Sequence, residues 1–475
     1  MKIGFVSLDH LRDWHGTTRL IDRIAKEMSN RGHGVVIIAR EGTASAKIPV
    51  STFDYPHELI AVNLDSPQGR GTAREKIAAS GIDVCMASIN DSSLLYLPGL
   101  FLGSGIPYIF GDPHEPLVFT FSRWQPYESY GAMATADAIQ TLLPNYIPLY
   151  PKALQPRVTE IGIPSPLPAE IDFTARRESG KRVIVSVGRF VERNKRFSLL
   201  LRAFALLCKD FPDWRLKLVG DGPYWDIYQE MARQLGIHSR VDFTGAVADP
   251  APHYSDADIF CLPSRTEGFP LVISEAASYA LPLVGFRTCI ALDTLIEPDI
   301  GVLAESGPDG DTPGSLAEAL RGMMLLPPKE REAIGLRARD KLQEKYGGGV
   351  IFDKWEKLLR ETFEKTGARN ETALERITKK MCENRERLGP EWDGLGPDSP
   401  VWTDVVLESA AAEISARDDP MKFSGQSAAG GEAGNVRLRC ELARLRQDYN
   451  GLEKKYATLA GQYQMLAGKR GKRAK

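Results

Sequence analysis

The chain lacks any pair of cysteines spaced to hold a metal. Its six (Cys85, Cys208, Cys261, Cys289, Cys382 and Cys440) are scattered over 475 residues, with no C-x-x-C among them. That spacing argues against a zinc site and against a disulfide framework, and it suits a reducing compartment. A surplus of charge is also missing: the net charge is −2, so the molecule as a whole is not built to bind nucleic acid electrostatically. No apolar run is long enough to cross a bilayer as a regular helix. The longest, "LLYLPGLFLGSGIPYIF" at residues 94–110, is broken by prolines and glycines. The opening "MKIGFVSL" reads as a strand, without the basic and then apolar regions of a signal peptide. A cytoplasmic protein is expected, with any membrane contact peripheral, at the inner face. The G-x-G-x-x-G of a dinucleotide site is lacking as well.

What is present is ordinary globular material. Hydrophobic residues make up 43% and charged residues 26%, enough for large cores. The length fits roughly two to four domains. Short β-branched runs alternate with helical patterns: "KIGFVSL", "TRLIDRIAKEMSNRGH", "GVVIIA", then "GIDVCMAS", "IPYIFG" and "ADAIQTL". This alternation predicts a parallel sheet covered by helices on both faces. The proline-rich stretch "IGIPSPLPAEIDF" (161–173) reads as a linker. The pattern then restarts with "RVIVSVG", "FSLLLRAFALLCKDF", "RLKLVGDG", "YWDIYQEMARQLG", "VDFTG" and "ADIFCLPS". The fold class is therefore α/β. Two facing, doubly wound, Rossmann-like domains are expected over residues 1–165 and 174–345, with a ligand cleft at the carboxyl ends of their strands.

Beyond residue 345 the character changes. Helices are expected over 346–388, and a flexible, glycine-rich linker over 389–435. Over 436–475 a heptad coiled-coil segment with a basic tail is expected. Leu438, Leu442, Leu445, Tyr449, Leu452, Tyr456, Leu459, Tyr463 and Leu466 alternate in steps of four and three. The seam predicts self-association or partner binding through 436–466. The closing "GKRGKRAK" could lean on anionic lipid.

The chemistry is concentrated in four loops. In "SRTEGFPLVISEAASYALPLV" (264–284), a strand ends, Glu267 sits on the loop, and a helix follows. The helix amino end, with the Gly268–Phe269–Pro270–Leu271–Val272 backbone, can hold a phosphate. Glu275 lies eight residues past Glu267, about 12 Å if the span is helical throughout. That layout suits a ligand with a phosphate between two hydroxylated ends, such as a nucleotide sugar. Two solvated helix-end glutamates would be the bland reading of this pair alone. A second loop, "VGRFVERNKRFSLL", offers Gly188 for close backbone approach. Arg189 and Lys195 bracket it and could converge on a diphosphate, with Arg193 and Arg196 as competing cations. In the first domain, Gly16 and Thr17 open a helix that could face phosphate, and "GDPHEP" places Asp112 and His114 at a strand end. The Asp256-x-Asp258 pair reads as a turn into a buried strand, and no metal site is expected.

With these residues in view, the chain resembles the family 4 glycosyltransferases over about residues 1–366. The resemblance rests on "GRFVERNK", "LVGDGP", "LGIHSRVDFTG", "DADIFCLPSRTEGFPLVISEAASYALPLV" and "RLIDRIAKEMSNRGHGVVI". It implies the GT-B fold and transfer of a sugar from a nucleotide donor, with retention of configuration and without a metal or other cofactor. It also implies roles by position. Arg189 and Lys195 would neutralise the departing diphosphate, Glu267 would touch the donor sugar, and Glu275 would bind the ribose. Val247 would lie near the base, and Gly16 would approach the phosphates. Asp112 and His114 are both candidates for the first-domain group, and the helix near 350–366 would cross back to the first domain. The expected donor is a UDP-sugar and the expected acceptor a saccharide or lipid-linked saccharide. Other readings are a non-catalytic scaffold subunit and another GT-B enzyme, such as a sugar-nucleotide epimerase or a phosphorylase.

Overall fold

The computed structural model describes residues 1–365, apart from 8–15, 41–53, 65–66, 89–96, 102–103, 117–131, 134, 151–153, 175–179, 181 and 308–309. The linker expected over 389–435 and the heptad segment over 436–475 lie outside the described residues.

Two parallel sheets carry the fold. The first joins β1 (Lys2–Ser7), β2 (Gly34–Arg40), β3 (Glu58–Val62), β4 (Val84–Ala87), β5 (Tyr108–Gly111), β6 (Ala138–Thr141) and β7 (Val158–Glu160). Their order is β3-β2-β1-β4-β5-β6-β7, every pair parallel. The second joins β8 (Arg182–Val187), β9 (Trp214–Val219), β10 (Val241–Phe243), β11 (Ile259–Leu262), β12 (Leu283–Phe286) and β13 (Gly301–Ala304). Their order is β10-β9-β8-β11-β12-β13, again all parallel. Strands covered on both faces need apolar residues at every position. Accordingly β4, β5, β6, β11 and β12 are buried along their whole length.

In each sheet the strand order reverses once, between β1 and β4 and between β8 and β11. At such a point the loops leaving neighbouring strands diverge and leave a crevice at the carboxyl ends. In the second sheet the loop after β8 carries Gly188 to Lys195, and the loop after β11 carries Ser264 to Pro270. The two anion-directed segments, far apart in sequence, thus leave adjacent strands.

Residues 161–172 form neither strand nor helix, yet the stretch is pinned. The Ser165 amide donates to the Tyr346 carbonyl (2.7 Å), and the Ala169 amide donates to that of Ser278 (3.0 Å). The helix Gly348–Glu364 follows the second domain but packs on the first sheet and on the helix Gly16–Asn30. Its Ile351, Trp355, Leu358 and Leu359 are buried. Its polar side is tied by Arg31 to Asp353 (2.7 Å) and Glu356 (2.8 Å), and by Lys354 to Glu160 (2.8 Å). The chain therefore crosses back, and the two domains are held at their far end by an apolar stripe as well as by ion pairs. Among the described residues, no helix is long and apolar enough to cross a membrane.

Candidate active site

Glu267 is the centre of the site. Its Oε1 accepts from Lys195 Nζ at 2.5 Å and from Ser264 Oγ at 2.5 Å. Its Oε2 has no partner among the described residues. The two loops are also joined through their backbones, since the Arg265 amide donates to the Asn194 carbonyl (2.7 Å). A hydroxyl from the first domain completes the frame. Tyr146, fully buried, donates to the carbonyls of Glu267 (2.6 Å) and Gly268 (2.9 Å).

Gly268 sits where the domains meet. A Cβ there would come 2.6 Å from the Pro113 carbonyl and 3.3 Å from the His114 Cα. Only a glycine allows this approach of the second-domain loop to the turn after β5. Phe269 turns the other way, into the core, with its ring edge-on to Tyr346 (5.1 Å between centroids). Pro270 caps the helix Leu271–Ser278. Nothing among the described residues accepts from the amides of Leu271 and Val272, the first two of that helix. They are the orphan donors that an anion can take.

Glu275 corrects one sequence-based expectation. The helix begins only at Leu271, so Glu275 lies one turn inside it and the eight-residue spacing is not a helical rise throughout. The segment 267–270 is irregular because Pro270 has no amide to donate. Glu275 Oε2 accepts from the Tyr254 hydroxyl (2.8 Å), and Tyr254 stacks on Tyr279 (5.7 Å between centroids). Burial raises the Glu275 carboxyl above its ordinary range, and the Tyr254 hydrogen bond opposes this. Val247 is exposed on the loop that leads from β10 to Tyr254.

The cations now separate. Lys195 is committed to Glu267, whereas Arg189 is exposed and has no ion pair among the described residues. Arg196 is not a ligand-facing cation. It is 5% exposed, and its guanidinium donates to the carbonyls of Pro263 (2.9 Å) and Ser264 (3.0 Å) and to Asp311 (2.6 Å). Its backbone is left-handed, with φ of 50°. Gly188 lies beneath Lys195, whose Cε would be 3.4 Å from a Cβ added there.

In the first domain, Gly16 and Thr17 open the helix Gly16–Asn30, which follows β1. Asp112 is buried, and both its oxygens are engaged, by the Tyr150 hydroxyl (2.7 Å) and by the His114 amide (3.3 Å). Burial pushes its carboxyl up to about 6, against the pull of those two hydrogen bonds. His114 is half-buried on the turn that meets Gly268. Asp256 ends the helix Ala251–Ser255, and Asp258 accepts from the Val183 amide (3.0 Å) and Arg331 (3.1 Å). Both belong to the turn into β11. The sequence reading does not single out Ser264, Tyr146, Tyr254 or Glu115. Ser264 and Glu115 stand within a few residues of recognised candidates, but no spacing rule marks them.

Lys195 and Glu267 meet between the loops that leave β8 and β11, and the open amides of Leu271 and Val272 and the Glu275 carboxylate follow on the next helix, groups suited to a nucleotide sugar and its leaving diphosphate. The glycosyl transferases group 1 family matches residues 169–341. An uncharacterized glycosyltransferase of Haemophilus influenzae is 27% identical over 371 residues, covering 75% of this chain and 99% of that protein. The GDP-mannose-dependent alpha-(1-6)-phosphatidylinositol monomannoside mannosyltransferase of Mycolicibacterium smegmatis is 34% identical over 166 residues, covering 33% of this chain and 42% of that enzyme. Among solved structures, HepE of Anabaena in complex with UDP superposes with a TM-score of 0.61 at 17% identity, over 76% of this chain and 100% of that one. A glycosyltransferase from Rickettsia africae gives 0.62 at 14%, over 77% and 99%. The second domain belongs to the group 1 glycosyl transferases. The chain is an enzyme of the glycosyltransferase class with the GT-B fold.

Proposed function

We propose that the protein is a metal-independent, retaining glycosyltransferase that moves a sugar from a nucleotide donor to a saccharide or lipid-linked saccharide. The observation that carries this reading is the Lys195–Glu267 pair, delivered by loops from the adjacent strands β8 and β11 at the switch point. In the reaction the bond from the sugar C1 to the diphosphate oxygen breaks, the acceptor hydroxyl oxygen bonds to C1, and the acceptor's proton passes to an oxygen of the departing diphosphate. Negative charge grows on the diphosphate. Lys195 and Arg189, with the Leu271 and Val272 amides, receive it and take the part a metal ion plays elsewhere. Glu267 Oε2 takes a hydroxyl of the sugar, and Glu275 takes the ribose. Asp112 supports the turn that presents His114 to the cleft. A UDP-sugar is our first choice of donor. The mannosyltransferase relative, GDP-mannose-dependent by name, makes a GDP-sugar the second. Self-association through 436–466 and peripheral membrane contact through the basic tail are carried by the sequence pattern alone.

The ribose assignment has a direct test. Replacing Glu275 by alanine is expected to weaken nucleoside diphosphate binding by about tenfold or more, since hydrogen bonds to a charged group contribute about 1.5–3 kcal/mol. Isothermal titration with UDP and with GDP reads this. Unchanged affinity for the nucleotide that the wild type binds would remove Glu275 from the site.

A further inference from the structure

The turn after β5 carries a further acid, Glu115. Glu115 is 7% exposed, and its Oε2 is buried with no hydrogen-bond partner among the described residues. An unpaired buried carboxyl oxygen is unfavourable in the folded protein, so its presence calls for a partner that comes with a ligand. Its place says which ligand. The two residues before it, Pro113 and His114, lie against Gly268, so Glu115 flanks the Glu267 loop from the opposite domain. Burial, and after it the charge of Glu267, push the Glu115 carboxyl up to about 7. Among the described residues, the titratable groups around it are Glu267 and Cys289 from the second domain, Tyr146 from the segment Pro144–Leu149, and Asp112 and His114 from its own turn. Lys195 is already engaged with Glu267.

We propose that Glu115 is a sugar-binding carboxyl, and that its Oε2 and Glu267 Oε2 take neighbouring hydroxyls of the transferred sugar from opposite walls of the cleft. This rests on the transferase reading and adds a substrate class to it: a neutral, hydroxyl-bearing hexose. A protonated Glu115 donates and accepts at once, as a sugar hydroxyl requires. Once ionised it faces a second carboxylate across the ring. A uronate would bring a third negative charge to the same place.

The test compares wild type, E115Q and E115A on UDP-, GDP- and ADP-linked hexoses and on UDP-glucuronate, from pH 5.5 to about 9, the range bracketing a group near 7. Binding of free UDP, GDP and ADP is measured alongside. We expect E115A to lower kcat/KM for the preferred hexose donor at least tenfold, with a raised KM. Wild-type kcat/KM should fall above about pH 7, where the acid loses its proton. E115Q keeps a neutral hydrogen-bonding group, so it should fall less than E115A and lose the alkaline decline. Nucleotide affinity should stay within about twofold of wild type in both variants, below the 1.4 kcal/mol that marks a tenfold change. Three results overturn the assignment: wild-type kcat/KM and pH profile in both variants, turnover of the uronate as fast as the hexose, or nucleotide binding lost together with activity. A wild type that binds no nucleotide and releases none would defeat the transferase reading itself, and this assignment with it.

Discussion

Replacing Lys195 by alanine is expected to lower turnover of the preferred donor by about 10²- to 10³-fold, the usual effect of removing one preorganised group that stabilises developing charge. Two losses combine in this variant. The ammonium proposed to meet the leaving diphosphate is gone, and so is the contact at 2.5 Å with Glu267. The half-buried position of Lys195 strengthens the effect, because a charge shielded from water acts at lower effective dielectric. Arginine should rescue little. Its planar fork does not reproduce a point charge between Ser264 and the Gly188 turn. The Lys195→Ala and Glu267→Ala changes should be strongly non-additive, since one carboxylate oxygen depends on the other residue's cation. Steady-state kinetics on both single variants and the double variant reads this. A drop in turnover below threefold for Lys195→Ala, with the fold intact by circular dichroism, would contradict the leaving-group role.

The largest effect on stability is expected at Arg196. Its side chain and that of Asp311 are each 7% exposed, and they meet at 2.6 Å. Asp311 also accepts from Thr288 (2.7 Å) and Ser306, so the aspartate is the hub of a closed network. Removing one partner of a buried ion pair typically costs about 3–5 kcal/mol. In a domain of this size that corresponds to a fall of about 6–20 °C in Tm. The left-handed backbone gives a sharper contrast. At φ of 50° a glycine is relaxed and an alanine is not. Arg196→Gly should therefore be about 1 kcal/mol less destabilising than Arg196→Ala, although it removes the same contacts. Calorimetry on the two variants gives the order directly. Equal or reversed stabilities would show that the backbone strain is relieved elsewhere.

Much of the architecture was legible because parallel strands buried on both faces announce themselves as apolar runs. "VIVSV", "IFCL" and "YIFG" are such runs, and the helix Phe197–Leu207 buries Phe197, Leu200, Leu201, Phe204 and Leu207 on one face. Weaker elements were silent for physical reasons. β3 is half-exposed at the sheet edge, and β7 is three residues long, so neither has a hydrophobic pattern to read. In the site, Glu267 and Lys195 could be named from loop position, and Glu275 from its place on the helix that follows. The contacts that set their geometry could not. Tyr146 lies 121 residues before the carbonyl it holds, and Ser264 shares its oxygen partner with a lysine 69 residues earlier in the chain, as the two bonds to Glu267 Oε1 show. Glu115 stands beside His114 in sequence, but only burial reveals that its oxygen lacks a partner. The helix start at Leu271 was legible, and only the helical rise assumed between Glu267 and Glu275 was not met.

On the proposed reading, the protein transfers a sugar from a nucleotide donor using its own cations alone. A nucleotide-release assay tests it most directly. Purified protein is given UDP-, GDP- and ADP-sugars with EDTA present, with and without a simple glycoside or lipid-linked acceptor, and Glu267→Ala is run beside it. Release from one donor is expected to persist in EDTA and to be lost in the variant. Release abolished by EDTA, or no release from any donor together with no nucleotide-dependent thermal shift, would contradict it.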